Sequence, residues 1–187
     1  MLLSPLKYLA IRHPLKRVWD FVYPALVTAV VIVIIYCFPR IDNIFGTEKS
    51  YVTGFTAILV VLGGFFVASL TLVATAPSPM LDTPMLGHPQ VTLGSSERVL
   101  SRRAFLCYLF GYLSFSCFCL VLVGYFATLV APGMSANAFV SQYKSYFEVP
   151  FVILYTYWVF QVFFATLVGL YYFSERLAKP DTKIERD

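Results

Sequence analysis

Asp82, His88, Ser95 and Ser96 bring a carboxylate, an imidazole and two hydroxyls into one short stretch, the groups from which an acyl-transfer triad is assembled. A triad works only when a rigid scaffold holds those groups to within about 0.5 Å of the productive geometry. Pro77, Pro79, Pro84, Pro89, Gly87 and Gly94 crowd the same stretch and keep its start from being helical. His88 therefore reads as a turn residue beside Pro89, and the chain is expected not to be an enzyme. Cys117-Phe118-Cys119 does not suit a metal, because residues two apart on a helix point to nearly opposite sides. His13 and His88 are distant in sequence, so no Cys/His cluster forms and no cofactor is expected. Gln161 is the only large amide inside a long apolar stretch. It reads as an interhelical hydrogen bond worth about 0.5–2 kcal/mol, with a ring of amides around a symmetric pore as the functional alternative.

The elements that carry these residues follow from composition. Hydrophobic residues make up 59% of the 187 positions and charged ones only 13%, about half the charged share of a soluble domain. Four segments, Phe21 to Phe38, Tyr51 to Ala76, Ala104 to Val130 and Val149 to Phe173, contain no Asp, Glu, Lys or Arg. Each is near or above the roughly 20 residues that a helix needs to cross a ~30 Å hydrocarbon core. The expected fold is an all-α integral membrane protein, a single four-span bundle over 1–187. It has an interfacial leader (1–20), a cytoplasmic central loop (77–103) and a cytoplasmic tail (174–187). Phe38-Pro39-Arg40 lacks a small-x-small cleavage site, so the first span is expected to be retained.

Orientation follows from the basic residues, which stay in the cytoplasm when they lie in short loops. Lys7, Arg12, Lys16 and Arg17 of the leader, Arg98, Arg102 and Arg103 of the central loop, and Arg176, Lys179, Lys183 and Arg186 of the tail lie on one side. Only Arg40, Lys49 and Lys144 lie on the other. Both termini are therefore expected in the cytoplasm. The net charge of +4 reads as topology, and no direct nucleic-acid contact is expected. Lys7, Arg12, Lys16 and Arg17 alternate with Leu6, Leu9 and Ile11, which suits a segment resting on anionic headgroups. Ser95-Ser96-Glu97 supplies a cap, predicting one helix from about Ser96 to Val130, about 50 Å long at 1.5 Å per residue, whose basic first turns project into the cytoplasm. Pro132-Gly133 predicts a break, followed by a surface helix leading to Pro150.

Helices associate in lipid through small residues and a few hydrogen bonds. The small-residue stripes run Thr53, Ala57, Gly64, Ala68, Thr71 and Thr75 on the second span. On the third they run Cys107, Gly111, Ser114, Cys117, Gly124 and Thr128, and on the fourth Gln161, Ala165 and Gly169. Gly64, Ala68, Gly111, Ser114, Gln161, Ala165 and Gly169 are the expected packing and self-association positions. The four cysteines lie in the spans and read as small apolar fillers.

Leu81-Asp82, Met85-Leu86-Gly87, Ser101-Arg102-Arg103-Ala104-Phe105-Leu106 and Leu109-Phe110-Gly111-Tyr112-Leu113 give the chain a resemblance to the membrane subunit of the bacterial Kiwa anti-phage defence system. Span number and length fit along the whole chain. The resemblance implies a homo-oligomer of the bacterial inner membrane that senses phage attack at the envelope and works with a soluble, DNA-binding partner. It carries over no catalytic residue. From the residues alone, the expected function is a non-enzymatic membrane scaffold or sensor; the homo-oligomer that the resemblance implies is expected to be a tetramer. It recruits a cytoplasmic protein through Arg98, Arg102, Arg103, Arg176 and Lys179. An oligomeric pore or membrane-disrupting effector is the alternative, and a small-molecule transporter the third reading.

Overall fold

Hydropathy is expressed as four helices long and apolar enough to cross a membrane, Val18–Cys37, Tyr51–Thr75, Arg102–Gly133 and Tyr146–Tyr171. They come from a computed structural model that describes residues 4–12, 18–37, 44–45, 50–84, 92–93, 100–136 and 138–172. The chain is an all-α, multi-pass membrane protein built as a four-helix bundle. Helix α1 (Tyr23–Cys37) is entered through a π-helical turn, Val18–Val22. It is followed by α2 (Tyr51–Thr75), α3 (Arg102–Ala136) and α4 (Ala138–Tyr171). Helix α1 packs on α4, α4 on α3, and α3 on α2, so α3 and α4 form the centre of the bundle.

The α2–α3 seam is the most extensive. Val52, Leu59, Gly63, Phe66 and Val73 are the buried residues of α2, recurring at intervals of seven, four and three as in a left-handed helix pair. Gly63 faces Cys117 across this seam, where a Cβ would stand 3.3 Å from the Cys117 Cβ. Gly124 of α3 sits where three helices meet, and a Cβ there would lie 2.7 Å from Thr56 Oγ1 and 3.0 Å from the Tyr155 hydroxyl of α4. Gly169 of α4 likewise admits Leu109 of α3. The Tyr51 and Thr156 hydroxyls, 2.9 Å apart, add a link between α2 and α4. Trp19 and Tyr23 tie α1 to Phe164 of α4, with ring centroids 6.3 and 5.9 Å away. Thr71 and Thr75 donate instead to carbonyls of Val67 and Thr71, one turn back on their own helix, which hides a hydroxyl from lipid.

Three boundaries differ from expectation. Helix α3 starts at Arg102, not Ser96, and its cap is Ser101, whose Oγ accepts from the Ala104 N–H at 3.2 Å. Leu100 and Ser101 are held outside the helix because Ser101 forms an antiparallel bridge with Pro84 and the Arg102 N–H donates to the Thr83 carbonyl. The helix also runs on to Ala136 through Pro132, so the added length lies at the end away from the leader. A proline near a helix end removes only one late backbone bond, and most of the expected loop 131–148 is helix. Finally, the first apolar helix starts at Val18 and so includes Asp20, which corrects the expectation that no span holds a charged residue.

Candidate functional site

At the leader end, the segment Ser4–Ala10 forms a 3-10 helix that packs on α3. Tyr8 is fully buried, its ring stacked on Tyr112 at 5.2 Å and tilted against Phe105 at 6.4 Å. Its hydroxyl donates to Asp20 Oδ1 at 3.3 Å, and Asp20 is itself only 1% exposed. Burial, and then the adjacent Asp20 carboxylate, push the Tyr8 hydroxyl well above its usual pKa, so it stays a neutral donor. The leader thus docks into the bundle. Beyond Tyr8, Ile11–Arg12 pairs antiparallel with Thr92–Leu93, Ile11 opposite Leu93, joining leader to central loop.

Arg103 forms the second knot. Its Nε and Nη2 donate to Asp82 Oδ1 and Oδ2 at 2.7 and 3.1 Å, a bidentate pair. Its Nη1 donates to the Val73 and Ala76 carbonyls at 2.8 and 2.9 Å. The last carbonyls of a helix have no partners within it and carry its negative end. One guanidinium therefore caps α2 and fastens the single helical turn Pro79–Asp82 to the start of α3. The same hydrogen bond from Arg103 holds the Asp82 carboxyl below its ordinary pKa.

A third polar contact lies deeper, where the Tyr112 hydroxyl donates to Gln161 Oε1 at 3.0 Å between α3 and α4. It is the interhelical bond expected of Gln161.

Among the expected docking residues, Arg103 is engaged in this clamp and Arg102 is buried, while Arg98, Arg176 and Lys179 lie outside the described residues. Lys7 is exposed, Arg12 belongs to the two-residue ladder, and Lys16 and Arg17 lie outside the described residues. Gln161, Ala165 and Gly169 are buried, as is Ser114, whose hydroxyl has no partner among the described residues. Gly111 is half-buried with open space at its Cβ position. Gly64 and Ala68 are exposed on α2, because Gly63 and not Gly64 faces α3. Of the triad-like residues, Asp82 is paired with Arg103, and His88, Ser95 and Ser96 fall outside the described residues.

Sequence reasoning missed Tyr8 and Asp20. The usable signal was Asp20 at the very start of an apolar run, since a carboxylate at that depth needs a donor close by. Comparison of the chain with family models, with curated proteins and with solved structures returns no match.

Proposed function

We propose that the protein is a non-enzymatic scaffold or sensor of the bacterial inner membrane, with both termini and the central loop in the cytoplasm. It self-associates and recruits a soluble cytoplasmic protein, in anti-phage defence of the Kiwa kind. The observation that supports this reading best is the construction of the leader end. Leader, central loop and the starts of two spans are knitted together by Tyr8, the Ile11–Arg12 ladder and the Arg103 clamp. Such a knot gives a defined platform where eleven of the fourteen basic residues are expected, so docking would fall to Lys7, Arg98, Arg176 and Lys179. Arg102 and Arg103 serve to hold the platform. Gly64 and Ala68, spaced four apart on the exposed face of α2, offer close approach to a second copy.

Charge reversal at Arg98, Arg176 and Lys179 tests recruitment, with correct insertion first confirmed by cysteine labelling from each side. Loss of the co-purifying partner is expected. Full retention of the partner by a correctly inserted variant would overturn this surface.

A further inference from the structure

A cleft of about 520 Å³ opens between the leader, α3 and α4, with Leu6, Tyr112, Leu154, Tyr157, Trp158 and Gln161 among its walls. Gln161 is 7% exposed, and its Oε1 is engaged by Tyr112. The amide nitrogen of the same side chain makes no hydrogen bond within the described residues, and Gln161 is among the residues that line this cleft. Gln161 stands ten residues in from Tyr171 at the end of α4, about 15 Å along the helix and so near the middle of a ~30 Å core. No bulk water reaches that depth to satisfy a donor.

From this we propose that the cleft binds a lipid-soluble quinone, a flat head bearing carbonyl acceptors on a hydrocarbon tail. The head accepts from the Gln161 amide and lies among the Tyr112, Tyr157 and Trp158 rings, where a planar π-system packs well. Along α4, Leu154 lies seven residues from Gln161, about 10 Å of apolar wall for the tail. An acyl lipid fits less well, because its ester carbonyls sit at headgroup level and its chain offers nothing to an amide donor. This inference does not depend on partner recruitment.

The test uses the full chain with Trp19→Phe in detergent, leaving Trp158 as the sole reporter of the two tryptophans. Decylubiquinone is expected to quench Trp158 saturably, with an equal concentration of decylbenzene or palmitate failing to displace it. Gln161→Leu is expected to weaken the quinone about tenfold, the worth of one hydrogen bond. Quenching that rises without saturation overturns the proposal. Displacement by decylbenzene does so too, because that compound has the ring and tail but no acceptor, and displacement by palmitate reassigns the cleft to an acyl chain. These competitions are read on the Trp19→Phe protein and decide the matter even where Gln161→Leu does not fold.

Discussion

Removing the Tyr8 ring should release the leader from the bundle. Tyr8 is fully buried among Phe105 and Tyr112 and donates to a carboxylate, so truncation to Ala forfeits both packing and a charged hydrogen bond. Large aromatic-to-Ala changes in cores cost about 3–5 kcal/mol, which corresponds to a shift of roughly 150- to 5,000-fold in the docking equilibrium. Tyr8→Phe keeps the ring and loses only the hydrogen bond. At 3.3 Å that bond is long, so the low end of the charged range, about 1.5 kcal/mol or roughly tenfold, is expected. Amide hydrogen exchange of residues 6–11 in nanodiscs reads both, with protection falling slightly in Tyr8→Phe and steeply in Tyr8→Ala. Unchanged protection in Tyr8→Ala would refute the claim that this ring holds the leader. Equal losses in the two variants would assign the hold to the hydroxyl.

Gly124→Ala should destabilise the bundle by about 1–3 kcal/mol through overpacking, seen as a lower melting temperature in detergent, and Thr56→Ala should recover part of the loss because Thr56 Oγ1 is the nearest atom to the added Cβ. Gln161→Leu and Tyr112→Phe should each lower stability by about 0.5–2 kcal/mol, and the double variant should lose little more than either alone; fully additive losses would mean the 3.0 Å bond contributes nothing. Asp82 has a lowered pKa in the folded protein, so its pairing stabilises the fold above the ordinary Asp value near 3.9, and this contribution is lost as pH falls through the lowered value. The difference in melting temperature between wild type and Asp82→Asn should therefore be constant from neutral pH down to about pH 5 and shrink only in stronger acid, whereas a difference that disappears near pH 6 would contradict the Arg103 assignment.

Much of this fold was legible in hydropathy. A charge-free apolar run at bilayer length has few alternatives to a membrane-crossing helix, and all four spans emerge within a few residues of their expected positions, although α3 and α4 continue beyond them toward each other, to Ala136 and from Ala138. Which face of a span packs inward was less legible. On α2, Gly63 and Gly64 are adjacent and equally small, and in lipid an outward face is as apolar as an inward one, so small residues alone do not select the face. Shape against Cys117 and the Leu59–Phe66 ridge selects Gly63. The start of α3 depended on a similar choice between Ser96 and Ser101. It is decided by long-range bonds to Thr83 and Pro84 that no local capping rule contains. Arg103 read as a docking charge because Asp82 lies 21 residues earlier, beyond any helical spacing, and its carbonyl partners on α2 have no sequence signature at all.

The central claim, that the leader end is a platform for a soluble partner, is tested most directly by purifying the tagged protein from its native membranes in mild detergent and counting subunits and bound proteins by native mass spectrometry. The account predicts a homo-oligomer carrying one soluble protein in fixed stoichiometry, removed by charge reversal at Arg98, Arg176 and Lys179. A homo-oligomer alone, whose reconstituted form passes ions or dye through liposomes, would contradict it in favour of a pore.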